Sequence, residues 1–222
     1  MKIFAHRGFS SDYPENTLLA FAKALEAGAD GIETDVRLSR DGKAIIFHDD
    51  DLKAITGHSD VPEALTLEQL RRLDTGKDEQ IPTLNELLLL TSAHATLILE
   101  IKYNPDTYIR LCEVIQEQIR DKLEWVEVSC FEDKVLEYMH TLNPQIRLHK
   151  LVDKAATLQD KAFEKRYHYA SYFDIDVKLS KIALELGVIQ RHKVIFWTVD
   201  TEDISAEEEA GLYGIMKNNP TL

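Results

Sequence analysis

Short apolar runs alternate along the chain with stretches whose apolar residues recur at helical spacing. Runs at Lys2–His6, Gly31–Arg37, Ala44–His48, Thr96–Lys102, Trp125–Cys130, Ile146–Val152, Tyr169–Asp174, Lys193–Val199 and Gly214–Met216 read as strands. Helical patterns fill most of the gaps. The clearest has Leu18, Phe21, Ala22 and Leu25 at i, i+3, i+4 and i+7. Asn16 or Thr17 is placed to cap its start and Gly28 to end it. Such alternation predicts βαβ units and a parallel sheet.

Eight units close into a (β/α)8 TIM-type barrel, and nine strands are one too many. The surplus follows from Asp41-Gly42, a hairpin signal between the second run and the third. That link is too short for a parallel crossover. The second strand is therefore expected to turn back in a hairpin arm ending at His48. Residues 50–82 fit no barrel unit and hold one short helical piece, Leu67–Leu73. They are expected to form a small inserted lobe on a single domain spanning 1–222. An open doubly wound sheet is the rival fold, but the first strand ends in His6-Arg7-Gly8 without the Gly-x-Gly turn that nucleotide binding requires.

A chain of 222 residues, 44% of them hydrophobic, can bury one sizeable core. A net charge of −13 would repel a polyanionic nucleic acid and counts against a nuclease. It says little against a small phosphodiester, which meets only the local site. Cys112 and Cys130 are read as buried free thiols in a reducing compartment. No apolar run reaches the ~18 residues of a membrane span. The chemistry starts at His6, leaving no room for a signal peptide, so a cytoplasmic location is expected.

Polar residues interrupt the apolar strands at particular points. Glu33 and Asp35 lie two apart, as do Glu100 and Lys102, so each pair shares a strand face. Parallel strands are buried on both faces, which leaves a polar pair few innocent explanations. Three converging carboxylates (Glu33, Asp35 and Glu100) would repel one another without a cation. Oxygen-only ligation favours Mg²⁺ or Ca²⁺ over Zn²⁺. Lys102 is either a salt-bridge partner of Glu100 or part of the site. His6 and His48 at strand ends are candidates for acid/base work, since histidine titrates near neutrality. Arg7 can pair with a carboxylate or grip a phosphate. Trp197 is either core or a wall for the substrate's carbon chain. Asp49 is a candidate to orient His48, Asp50 and Asp51 read as solvated loop, and the other six histidines as surface or structural.

Ala5-His6-Arg7-Gly8, Pro14-Glu15-Asn16-Thr17, Gly31-Ile32-Glu33-Thr34-Asp35-Val36, Asp41-Gly42 and Phe47-His48-Asp49 stand in that order. Ile81-Pro82-Thr83-Leu84, Leu99-Glu100-Ile101-Lys102, Ser129-Cys130-Phe131 and Phe196-Trp197-Thr198-Val199 follow. Together they resemble the glycerophosphodiester phosphodiesterase family. The resemblance implies a barrel with an inserted lobe after the His-Asp strand and cleavage of glycerophosphodiesters to glycerol 3-phosphate plus an alcohol. It further implies His6 and His48 as acid and base, Glu33, Asp35 and Glu100 around a divalent metal, and Arg7 and Lys102 on phosphate oxygens.

The sequence departs from the family's pattern twice. Leu52-Lys53-Ala54-Ile55-Thr56 lacks the family's Arg, and Asn218 stands where the last strand often ends in Asp. Neither departure is expected to touch the metal or histidine set; both bear on substrate preference. A lysophospholipid is the rival substrate, with Leu52, Ile55, Val61 and Leu65 as candidates for an apolar groove. A barrel that binds phosphodiesters without turnover is the rival class. The sequence assigns neither head group nor oligomeric state.

Overall fold

The computed structural model describes residues 1–199 and 204–221. Nine strands form one sheet: β1 (Lys2–His6), β2 (Gly31–Leu38), β3 (Ala44–Ile46), β4 (Thr96–Ile101), β5 (Val126–Cys130), β6 (Leu148–Val152), β7 (Tyr172–Asp176), β8 (Val194–Trp197) and β9 (Gly214–Lys217). The order is β1-β9-β8-β7-β6-β5-β4-β2-β3, and a further β1–β2 pairing closes the ring. Every pairing in the ring is parallel, so eight strands make a TIM-type barrel. β3 stands outside the ring, antiparallel on β2, as the Asp41-Gly42 turn predicts.

Strand bounds shift by a few residues from the sequence reading. β3 stops at Ile46, Phe47 N–H still donates to the Asp35 carbonyl at 3.0 Å, and the His48 carbonyl is taken by the Arg37 side chain. β7 begins at Tyr172, since Ala170 N–H bonds back to Tyr167 in a turn.

Helix α1 (Leu18–Glu26) is capped by Thr17, whose hydroxyl accepts from Ala20 N–H at 3.2 Å, and buries Ala20, Phe21 and Ala24. Asn16, the other cap candidate, is engaged elsewhere. Between β3 and β4 come the short helices α2 (Lys53–Thr56) and α3 (Leu67–Leu70), then α4 (Leu84–Thr91). The predicted Leu67–Leu73 piece is thus shorter by its last turn. The helices α5 (Tyr108–Ile119) and α6 (Asp133–Leu142) cover the next two crossovers with amphipathic faces.

Two large apolar clusters fill the space between barrel and helices. Leu52, Leu65, Leu70 and Ile81 make a smaller one with Ile45 and Phe47. Two of the four groove candidates, Leu52 and Leu65, are therefore buried in this cluster. Ile55 and Val61 are exposed but line no part of the barrel-mouth cavity. Among the described residues the four candidates form no apolar groove at the barrel mouth, because Leu52 and Leu65 pack residues 50–82 onto the hairpin arm.

Inside the ring, register and strand alternation give one inward set per strand. Phe4, Ile98, Tyr172, Ile195 and Met216 form the apolar part of that interior. The remaining inward positions are largely polar. Glu33, Asp35 and Glu100 stand toward the strand C-termini, and Glu127, His149 and Asp174 lie deeper.

Candidate active site

A cavity of about 170 Å³ opens at the C-terminal end of the barrel. His6, Arg7, Glu33, His48, Glu100 and Lys102 supply its polar wall. Phe131, Leu151, Trp197 and Met216 supply the apolar one.

The β1–α1 loop is built for this place. Arg7 has φ 56°, a left-handed backbone that costs a non-glycine residue energy. Arg7 N–H donates to the Glu33 carbonyl at 2.9 Å, which locks the turn to β2. Gly8 has φ 82°, and a Cβ there would meet the Ala20 backbone at 2.8 Å, so α1 can approach only a glycine. Asn16, also left-handed at φ 57°, donates to Asp35 Oδ2 at 2.8 Å and accepts from Thr34 Oγ1 at 2.7 Å.

Glu33, Asp35 and Glu100 bring one carboxylate oxygen each within 4.8 Å of one another. Two cations reach them. Lys102 Nζ lies 2.7 Å from Glu100 Oε1 and 3.4 Å from Asp35 Oδ1. Arg7 Nε lies 3.4 Å from Asp35 Oδ2, while Arg7 Nη1 donates to Glu15 at 2.9 Å. Arg7 Nε is buried and has no hydrogen-bond acceptor among the described residues. Lys102 thus pairs with Glu100 and lines the cavity.

The charges are not balanced. Burial, with Asp35 and Glu100 beside it, raises the Glu33 carboxyl well above the usual carboxylate range. Burial and Asp35 raise Glu100 as well. Asp35 goes the other way: burial pushes it up, but Lys102, Arg7 and the Asn16 hydrogen bond outweigh that. Three carboxylates thus face two cations, and the cluster is short of positive charge. Three converging carboxylate oxygens are a donor set that suits a hard divalent cation.

His6 Nε2 faces Glu33 Oε2 at 3.9 Å. Burial and the neighbouring Arg7 lower its pKa to about 4, so the imidazole is neutral at ordinary pH. His48 Nδ1 lies 2.7 Å from Asp49 Oδ1, the orienting contact for which Asp49 was a candidate. Arg37 holds the His48 carbonyl from Nε at 3.2 Å and Nη2 at 2.9 Å, and reaches Asp50 and Glu63 as well. Asp50 is exposed, as expected, yet paired.

Trp197 Nε1 donates to the Asp174 carbonyl at 3.2 Å, and its ring meets Phe131 edge-on at 6.1 Å. One face thus packs inward while the other walls the cavity.

One expectation is overturned. Asn218 touches the histidine set directly, because His6 Nδ1–H donates to Asn218 Oδ1 at 2.8 Å. Register explains it: β9 lies beside β1 with Lys217 against Ala5, so the next residues meet. Ala54, the other departure, sits in α2, away from the cavity. The sequence reading passed over Arg37, Asn16 and the walls Phe131, Leu151 and Met216. Arg37 carried a signal, a cation on the same strand face as Glu33 and Asp35, and Phe131 stood in the Ser129-Cys130-Phe131 piece of the resemblance; Leu151 and Met216 carried none.

The sequence profile of the glycerophosphoryl diester phosphodiesterase family matches residues 6–222. The chain belongs to this family. As a member it is a phosphoric diester hydrolase. It is 32% identical to a glycerophosphodiester phosphodiesterase of Caldanaerobacter subterraneus subsp. tengcongensis, over 98% of this chain and 94% of that one. A Bacillus altitudinis glycerophosphodiester phosphodiesterase is 36% identical over 66% of this chain and 64% of its own length. The fold superposes with a TM-score of 0.88 and 26% identity on an Oleispira antarctica phosphodiesterase solved with its product sn-glycerol-3-phosphate, covering 100% of this chain and 94% of that one. No helix among the described residues is long and apolar enough to cross a membrane.

Proposed function

We propose that this family member hydrolyses small glycerophosphodiesters to sn-glycerol 3-phosphate and an alcohol, with His6 and His48 as acid and base. The observation that carries the reading is one cavity lined by two histidines, two cations and the carboxylates Glu33 and Glu100, with Asp35 buried in the same cluster. Glu33, Asp35 and Glu100 would hold one Mg²⁺ or Ca²⁺, which when bound supplies positive charge to the phosphate oxygens.

The chain's own groups do the rest. Arg7 Nε is a buried donor without an acceptor and suits a phosphate oxygen. Lys102, on the other oxygen of Asp35, adds a second positive charge. Phe131, Leu151 and Trp197 face the carbon skeleton and keep water from that side. The substrate's own 2-hydroxyl is the nucleophile, since no Gly-x-Ser-x-Gly elbow exists to provide one. One imidazole takes the hydroxyl proton and the other protonates the departing alkoxide. Water then opens the five-membered cyclic phosphate with the two roles exchanged.

The test is release of glycerol 3-phosphate from glycerophosphocholine and glycerophosphoethanolamine, after chelation and re-addition of Mg²⁺ or Ca²⁺. Turnover that needs the metal and falls at least about 10³-fold in Glu33→Ala supports the reading. A folded, metal-loaded protein that turns over neither substrate refutes it.

A further inference from the structure

We infer that Asn218 is a positioning residue that holds the His6 ring with Nε2 toward the reacting phosphate. The inference rests on the reading of His6 as an acid/base group. Asn218 follows β9 directly, and its carbonyl accepts from Ser11 N–H at 3.1 Å, which fixes it beside the β1–α1 loop. Its Oδ1 lies 2.8 Å from His6 Nδ1 and 3.0 Å from Ser10 Oγ. The single Ser10 hydroxyl proton is shared between Asn218 Oδ1 and the His6 carbonyl, which lies 2.8 Å from Oγ, so backbone and ring of His6 meet in one small network.

An imidazole can rotate by half a turn about χ2 at little cost, which would exchange its two nitrogens. It can also carry its proton on either one. The bond to Asn218 removes both freedoms at once. With Nδ1–H donating to the amide oxygen, the nitrogen left bare is Nε2, on the Glu33 side of the cavity. His48 is held through the same ring atom, by the Asp49 carboxylate. Both imidazoles line the same cavity and are held through Nδ1, one by a neutral amide and one by a carboxylate. Asn218 is exposed and packs in none of the apolar clusters, so removing its side chain should cost the fold little.

The experiment compares wild type, Asn218→Leu and Asn218→Asp by kcat and KM on glycerophosphocholine, and by ¹⁵N long-range correlation spectra of the His6 ring. Wild type should show the Nδ1–H tautomer. Asn218→Leu should lose that preference and lower kcat roughly tenfold with KM within about twofold, the signature of misorientation rather than lost binding. Asn218→Asp, which keeps an acceptor at the same place, should restore most of the rate. An Nε2–H tautomer in wild type, an unchanged kcat in Asn218→Leu, or a loss confined to KM would overturn the inference. If wild type hydrolyses no glycerophosphodiester, the proposed function fails instead, and the spectra still decide how the ring is held.

Discussion

Two clusters of ionisable side chains lie inside the same barrel, and they differ in how their charges are met. At the mouth, Glu33, Asp35 and Glu100 face two cations, and burial together with the neighbouring carboxylates raises the carboxyls of Glu33 and Glu100. Deeper down, His149 sits between Asp174 Oδ1 at 2.9 Å and Glu127 Oε2 at 2.9 Å, fully buried. Its ring stacks on Tyr172 at 4.3 Å. Arg147 Nε reaches the other oxygen of Glu127 at 2.6 Å, so two carboxylates meet two cations. The two carboxylates shift in opposite directions for that reason. Burial pushes both up, but Glu127 has Arg147 as well as His149 and ends low, whereas Asp174 has His149 alone and ends high. Burial opposes charge on His149, yet Asp174 and Glu127 outweigh it and raise its pKa to about 9. A balanced, closed cluster holds strands together; an unbalanced one beside a cavity is built to receive something.

The largest expected effect tests the unbalanced cluster. Glu33→Gln should abolish turnover while leaving the melting temperature unchanged or higher, because it removes a carboxylate its neighbours repel. A clear drop in melting temperature would place Glu33 with the structural cluster. His149→Leu should do the reverse. It strands Glu127 and Asp174 without their shared cation, and should cost about 3–5 kcal/mol in denaturant titration while the folded fraction keeps its kcat. Loss of kcat without loss of stability would erase the distinction drawn between the two clusters.

A pH titration sharpens the same contrast. The folded-state pKa of His149 is about 9 against an ordinary 6.5, so its stabilisation is complete below 6.5 and is lost as pH rises through about 9. Wild type should therefore lose on the order of 3 kcal/mol between about pH 6.5 and pH 10, and His149→Leu should show a flatter profile. Equal slopes would mean that His149 carries no extra proton. The mouth cluster works the other way on the acid side. His6, lowered to about 4, loses its contribution only as pH falls from 6.5 through about 4.

The smallest effect concerns how the mouth is held. Arg37→Lys keeps the charge but loses the fork on the His48 carbonyl. Stability should fall by about 1 kcal/mol, with faster amide exchange around residues 48–64. Unchanged exchange there would show that Arg37 does not secure the His48 segment.

Apolar runs and helical spacing were enough to place nine strands and a hairpin, because burial on both faces of a parallel strand writes itself into composition. The i, i+2 rule found Glu33 with Asp35 and Glu100 with Lys102. Applied evenly, it also applies to Asp174 with Asp176, and no pattern along the chain separates that pair from the others. Which carboxylate is neutralised depends on residues from other strands: His149 on β6 serves Glu127 on β5 and Asp174 on β7. Asn218 shows the same limit. Its sequence neighbours say nothing of His6, 212 positions away, and only closure of β9 on β1 brings the two within 2.8 Å. The sequence by itself determined the barrel, its hairpin and which ionisable residues stand at the strand ends, since these follow from local pattern and residue type. The tertiary structure alone decided which charges are balanced and how each histidine is turned, because hydrogen bonds and Coulomb attraction act over a few ångströms in space.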